Sequence, residues 1–402
     1  MRYFTKKMKA FSRLLYPYSL KQFFSENWSQ EGLLIKAESP DKLSHLFSWD
    51  KLNELLNFHN ISHPELRFSK HGEILSPSDD RDSLIQRCQE GATLIIDRLH
   101  TRLPEIAQFA AALRYEIGHR TQVNSYCSWP GEQGFKCHYD THEVFILQIA
   151  GQKEWLVFRD TFKYPLSVHP SSDLSPPTTD PYLHCILNPG DVLYIPRGHW
   201  HYAIAVDEPS LHLTLGIDCQ TGVDFVDWLV TQLQEKEEWR QNLSPIAPQD
   251  STQMTAQIDG LIHRLIDYLL DPSLSTQYAN YLASLEKPPI PYSFPYQMGY
   301  DIFRDKLNTQ FKRPPFQRVR IESLENDEYN IFVGNKSIAL KGLPREFLDW
   351  LFAKETFTLK QVISRLPQFD LQADILPLIS RLVTEGIICV DKGDRAGLLK
   401  GQ

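Results

Sequence analysis

Residues 123–158 read VNSYCSWPGEQGFKCHYDTHEVFILQIAGQKEWLVF, and residues 187–205 read LNPGDVLYIPRGHWHYAIA. Both segments are short apolar runs broken by the turn formers WPGEQG, NPGD and PRG. The same texture extends from Thr121 to Cys219, through TQVNSYCSW, EVFILQIAG, KEWLVF, HCILNPGDVLYIP, HYAIAV and LHLTLGID. Short strands with turn signals at close intervals predict a β-sandwich or barrel.

His138-Tyr139-Asp140 stands just before one of these runs. In an extended chain, residues i and i+2 point to the same side, so an imidazole nitrogen and a carboxylate oxygen can meet one ion. Two ligands do not make a site. Two His and one carboxylate on one face, with other positions open, suit non-haem Fe(II). A third ligand is available in His201, just past Pro196-Arg197-Gly198 and 61 positions after Asp140. An isolated HxD is common. HxD, a β-rich interval, PGD, an apolar strand and PRGxxH together are distinctive.

The stretches HYDTHEVFILQIAGQKEW and LNPGDVLYIPRGHWH resemble the JmjC/cupin family of Fe(II)- and 2-oxoglutarate-dependent oxygenases, on its ribosomal oxygenase (cupin-4) branch. The resemblance is strongest over about residues 90–220. It implies a mixed α and β fold: a double-stranded β-helix, or jelly roll, with surrounding helices, a helical dimerisation segment and a C-terminal winged-helix domain. By the same resemblance, His138, Asp140 and His201 match the metal triad. Lys153 matches the basic residue that pairs with the distal carboxylate of 2-oxoglutarate, and Asn124 and Tyr126 match polar residues lining the co-substrate pocket. A Lys ammonium is a fitting point charge for a carboxylate in a partly dry pocket. His199 departs from the family, which has aliphatic or aromatic residues there. Both histidines of GHWH therefore stand as ligand candidates, with His201 preferred.

Each of these residues also has a plainer reading. The chain has 14 His, most of which need no function. His142 shares the ligand side only if its strand stays straight. His199 reads as a surface or cleft residue, and His212 as a core histidine pointing into the barrel beside the iron ligands. Lys153 has the alternative of a solvated strand charge ahead of Trp155. Asn124 and Tyr126 have that of structural hydrogen bonding.

Outside this region, residues 13–60 read as helices with short turns, and Ser48 or Asp50 as a helix cap. ELRFSKHGEIL reads as a strand and a turn at His71-Gly72. RDSLIQRCQEGATLIID reads as a helix stopped by Gly91 and then a strand, and EIAQFAAALRYEIG as a helix ending at Gly118. NLSPIAPQDSTQ is the clearest linker and EKPPIPYSFPYQ is extended. Between them, Ile258, Leu261, Ile262, Leu265, Ile266 and Leu269 share one helical face that needs a partner. PREFLDWLFA, TLKQVISRL, DILPLISRLVTEG and IICV follow as three helices and a strand, like a winged helix. The expected domains are 1–240 (catalytic, with N-terminal helices), 241–335 (helical dimerisation and linker) and 336–402 (winged-helix-like).

Lys+Arg total 42 and Asp+Glu 50, a net charge of −8. This balance disfavours a general nucleic-acid binder. In the third unit TLKQVISRL carries only Lys360 and Arg365, and the last helix only Arg381, too few for a DNA-reading surface. The six scattered cysteines form no CxxC pair and read as reduced thiols. Residues 1–20 lack a signal-peptide core, and no run has the length of a membrane span. The expectation is a soluble cytoplasmic enzyme using Fe(II), 2-oxoglutarate and O2. It would hydroxylate a side chain of a protein or peptide, Arg or His of a ribosomal protein being the substrate the resemblance implies. It would act as a homodimer, without membrane or nucleic-acid partners. The alternatives are a hydroxylase of peptide natural-product precursors and a non-catalytic cupin binding module.

Overall fold

The alternating runs become antiparallel strands in a computed structural model that describes residues 9–77, 81–244, 252–285, 291–325, 327–334 and 336–391. The chain divides into two compact units, Met1–Gln220 and Thr221–Gln402. The first unit holds β1 (Leu33–Ile35), β2 (Leu66–Lys70), β3 (Glu73–Ile74), β4 (Thr93–Ile96), β5 (Arg120–Ser128), β6 (Glu143–Ala150), β7 (Lys153–Val157), β8 (Leu183–Leu187), β9 (Val192–Ile195), β10 (His201–Ala205) and β11 (Ser210–Asp218). One sheet runs β1-β9-β6-β11-β5-β4-β2-β3, and a second runs β10-β7-β8. These are the two sheets of the anticipated jelly roll. HCILNPGDVLYIP supplies two strands, β8 and β9, joined by the turn at Gly190 (φ +89°).

Strand alternation sorts the side chains. On one face of the large sheet, Val123 and Cys127 of β5, Phe145 and Leu147 of β6, and Leu211, Leu213, Leu215 and Ile217 of β11 join a core with Phe11, Phe23, Leu55, Ile106 and Leu113 from the helices. Each such side chain contributes roughly 1.5–3 kcal/mol on burial. The other face turns Gln122, Asn124, Tyr126, His212 and Thr214 into a cavity. The helices over the core end where the sequence says. Ser48 Oγ accepts the Lys51 N–H (3.2 Å) at the start of Trp49–Phe58. Gly118, at φ +73°, ends Pro104–Ile117. His71 and Gly72 both take positive φ in the two-residue β2–β3 hairpin.

The N-terminal reading needs one correction. Leu33–Ile35, inside the stretch read as helical, is strand β1 and pairs with β9 through Leu33↔Tyr194 and Ile35↔Val192. Three apolar residues after Gly32 carry no period, so pairing with a distant strand decided their state.

In the second unit, Trp228, Leu229 and Leu233 of helix Gly222–Gln234 pack with Leu274 of helix Leu274–Leu285. Helix Thr252–Leu269 buries no residue fully. Six further strands follow: β12 (Gln310–Lys312), β13 (Val319–Ser323), β14 (Glu328–Val333), β15 (Lys336–Lys341), β16 (Thr356–Thr358) and β17 (Cys389–Val390). Helices Arg345–Ala353, Leu359–Arg365 and Leu376–Thr384 lie where the sequence places them. Residues 310–333 include strands where the sequence reading has a helical and linker region over 241–335. β14 pairs with β15 from Glu328↔Lys341 to Val333↔Lys336, so a boundary at 335/336 falls inside a hairpin. A single apolar cluster runs from Ile302 to Ile388. The alternation in EYNIFV and KSIALK carried this signal. The tail of the expected 336–402 unit, residues 392–402, lies outside the described residues, as do 245–251 of the expected linker, 286–290 of the extended stretch and the basic residues Lys6 and Lys7. All six cysteines are unpaired. Among the described residues, no helix is long and apolar enough to cross a membrane.

Candidate metal centre

The backbone locks the HxD segment against the start of β10. The His201 N–H donates to the His138 carbonyl (2.7 Å) and the His138 N–H donates back to the His201 carbonyl (3.1 Å). The Gly198 N–H donates to the Asp140 carbonyl (2.9 Å). Gly198 itself sits at φ +85°, closing the Pro196–His199 turn, and a Cβ there would lie 2.8 Å from Pro165 Cδ. His138, Asp140 and His201 each offer one ligand atom, and these atoms lie within 4.8 Å of one another. His201 Nε2 is 3.6 Å from Asp140 Oδ2.

Both imidazoles are held in one tautomer. His138 Nδ1 faces the Lys136 carbonyl at 2.8 Å, and His201 Nδ1 faces the His199 carbonyl at 3.0 Å. A carbonyl only accepts, so each Nδ1 carries the hydrogen and each Nε2 keeps a lone pair for an ion. Burial, then the neighbouring His138, pushes the His201 pKa down to about 4. Burial opposes ionisation of Asp140, but His142, His138 and His201 together outweigh it and hold the carboxyl below its ordinary range. Two imidazoles and a carboxylate, converging with open positions, fit a divalent first-row metal.

The other histidines separate cleanly. His199 is buried and turned from the triad: Tyr182 Oη stands 2.7 Å from its Nδ1, and its Nε2 is 3.9 Å from Asp160 Oδ1. Burial keeps its pKa low. Within GHWH it is therefore His201 that joins the cluster. His212 stacks on Tyr126 (5.0 Å between centroids, 3° between planes), and its Nδ1 has no partner among the described residues. Burial, then Lys153, keeps its pKa well below the ordinary histidine value. His142 also lines the cavity with Nδ1 unpartnered, and its Nε2 is 3.0 Å from where a Cβ on Gly216 would stand.

Lys153 projects into the same cavity and is only 5% exposed. Its Nζ donates to Ser128 Oγ at 2.8 Å, and that hydroxyl lies 3.2 Å from Thr93 Oγ1. Burial brings the Lys153 pKa down to about 7. Trp155 bridges the cavity, with its ring centroid 5.9 Å from Lys153 Nζ and 6.0 Å from the His201 ring. Asn124 Oδ1 accepts the Arg98 N–H at 2.9 Å, and burial raises the Tyr126 pKa. All six residues singled out from the sequence thus line one cavity. Sequence reasoning missed Ser128, Thr93 and Trp155. Ser128 and Trp155 were findable by strand period, two residues on from Tyr126 and from Lys153. Thr93 needed the fold. The Nδ1 atoms of His142 and His212 and the Nε1 of Trp155 are buried without partners among the described residues and belong to side chains lining this cavity, as polar groups awaiting a ligand do.

Residues 99–225 match the JmjC domain family. The chain is 29% identical over 224 residues to the bifunctional lysine-specific demethylase and histidyl-hydroxylase NO66 of Aedes aegypti, covering 52% of this chain and 34% of that protein. It is 29% identical over 260 residues to ribosomal oxygenase 1 of Rattus norvegicus, covering 58% of this chain and 42% of that one. The chain thus spans less than half the length of these curated relatives. Among solved structures, Escherichia coli ycfD covers 93% of this chain and 98% of its own, with a TM-score of 0.60 and 18% identity. The ribosomal oxygenase YcfD from Escherichia coli in complex with cobalt and 2-oxoglutarate covers 93% and 99%, with a TM-score of 0.57 and 17% identity. At such identity the likeness is one of fold. Residues 99–225 thus match a JmjC domain, and the chain is similar in sequence to ribosomal oxygenase 1 and in fold to a solved ribosomal oxygenase.

Proposed function

We propose that this chain is an Fe(II)- and 2-oxoglutarate-dependent oxygenase that hydroxylates an Arg or His side chain of a ribosomal protein. The observation that carries the reading is one cavity with a two-His, one-carboxylate cluster and, across the Trp155 ring, a desolvated lysine. His138, Asp140 and His201 are the metal ligands in this reading. Lys153 receives the distal carboxylate of 2-oxoglutarate, and Asn124 and Tyr126 flank the co-substrate. Bound iron with O2 and 2-oxoglutarate supplies the oxidising chemistry, one oxygen atom going to the substrate C–H and the other to succinate, with loss of CO2.

The chain's own residues prepare the site. The Lys136 and His199 carbonyls aim the two Nε2 lone pairs. Lys153 Nζ has no carboxylate partner among the described residues, so an incoming carboxylate meets an unpaired cation in a dry wall. A charge-assisted hydrogen bond there is among the strong kind. The relatives named for ribosomal and histidyl substrates support the substrate class. Helix Thr252–Leu269 is assigned to a homodimer interface, the C-terminal helices and strands to a winged-helix-like module that contacts protein, and the protein to the cytoplasm. The test is intact-mass analysis of ribosomal proteins incubated with the enzyme, Fe(II), 2-oxoglutarate and ascorbate. A gain of one oxygen on one protein is expected. No gain, together with no succinate, overturns the reading and leaves a non-catalytic binding module.

A further inference from the structure

The ring of His199, the histidine that departs from the family pattern, stands outside the ligand cluster. His199 lies two residues before the ligand His201 and is almost fully enclosed, yet it does not point at the ligand cluster. Its main chain and its side chain do different things. The His199 carbonyl accepts the His201 Nδ1–H at 3.0 Å, which sets the tautomer and plane of the ligand ring. The His199 ring is gripped from outside. Tyr182 Oη accepts the Gly32 N–H at 2.9 Å, which leaves its own hydrogen for His199 Nδ1 at 2.7 Å. The two rings meet edge to face, 5.5 Å apart at 87°. The next residue is fixed from the same side, Trp200 Nε1–H donating to Thr161 Oγ1 at 2.9 Å.

We propose that His199 is a positioning residue for the metal: with Tyr182 it forms a clamp that holds the His199 carbonyl on His201 Nδ1. The inference rests on the metal-binding reading of the triad. The turn's own hydrogen bond, from the His199 N–H to the Pro196 carbonyl at 3.2 Å, holds the peptide before this carbonyl and not the carbonyl itself. An aliphatic residue at this position would fill the space but could not accept the tyrosine hydrogen bond. Partners that orient a metal-bound histidine typically contribute 10–100-fold to metal affinity. His199 acts one bond further out, through its own backbone, so its share is on the order of tenfold.

The test is Co(II) binding to the full chain, followed by calorimetry and by the visible absorption of the bound ion, which reports ligand geometry without turnover. His199→Phe keeps a ring and leaves the Gly32–Tyr182 hydrogen bond in place; Tyr182→Phe removes only the hydroxyl. Each variant is expected to weaken Co(II) by about tenfold and to alter its spectrum. The double variant should be no worse than either alone, because both break the same link. His199→Asn, whose side-chain oxygen accepts a hydrogen bond, should restore most of the affinity. Metal-free melting curves identify any variant whose loss is unfolding, and Tyr182→Phe is the milder of the two. Wild-type affinity and spectrum in both His199→Phe and Tyr182→Phe would overturn the clamp, as would additive losses in the double variant. Uptake lost in His201→Ala but untouched by His199→Phe removes the clamp alone. A wild-type chain that takes up no Co(II) removes the metal reading and the clamp together.

Discussion

Lys153 is the residue on which the co-substrate assignment turns. Its ammonium is desolvated, bonded to a neutral hydroxyl, and has a pKa of about 7. A dicarboxylate binds the protonated form, so binding raises this pKa. The affinity for 2-oxoglutarate is therefore expected to be full below pH 7. It falls as pH rises above 7, by up to tenfold per unit, until the pKa of the complex is reached. Calorimetry of 2-oxoglutarate binding to the Co(II)-loaded protein at several pH values should show this fall and proton uptake from buffer; a flat profile would contradict the role. Lys153→Ala removes a bond worth roughly 1.5–3 kcal/mol, about 10- to 150-fold in affinity, while metal binding stays intact. For the triad, His138→Ala and His201→Ala should abolish Co(II) uptake. In His199→Ala uptake should persist, weakened but not lost, and the reverse outcome would reassign the ligand.

At the scale of elements, the β6–β7 hairpin aims Lys153. Gly151 begins its turn at φ +64°, and a Cβ there would lie 2.1 Å from the Pro209 carbonyl oxygen. Left-handed backbone alone disfavours a non-glycine residue by roughly 1–2 kcal/mol, and the clash adds to it. Gly151→Ala should lower the unfolding free energy from urea titration by at least that much, moving the midpoint down, and weaken 2-oxoglutarate binding, because Lys153 is two residues on. An unchanged midpoint would mean the turn relaxes freely. The ligand-bearing elements gain their precision from pairing. His138 is held by two backbone hydrogen bonds to His201, and β10 is in turn registered on β7 through His201↔Val157 and Ala205↔Lys153. The pairing thus ties the metal end and the lysine end of the cavity to one three-stranded sheet.

At the scale of the whole molecule, the open question is assembly. Helix Thr252–Leu269 leaves Ile262 and Ile266 each 48% exposed and Leu269 44% exposed, while Leu265 and Tyr268 pack on Trp228 and its neighbours. An outward apolar row of this kind fits a second copy of the chain. Ile262→Glu with Ile266→Glu should convert a dimer to monomers in sedimentation at micromolar concentration without unfolding the first unit. Native protein that sediments as a monomer would refute the interface.

What the sequence determined by itself was the chemistry and its local frame. The turn formers and the period-two runs placed β5 to β11, and the caps at Ser48 and Gly118 are local interactions that any fold would keep. HxD and PRGxxH marked the residues that cluster, because residue type and i, i+2 spacing are written in covalent order. The tertiary structure decided what depends on distant neighbours. Leu33–Ile35 became a strand only because β9 offered an edge. The sequence prefers His201 but keeps His199 as a candidate; the fold separates them, one meeting Tyr182 and the other Asp140. Thr93 and Ser128 joined Lys153 from strands far away along the chain, since a buried cation takes whatever hydrogen-bond acceptor the fold brings to it.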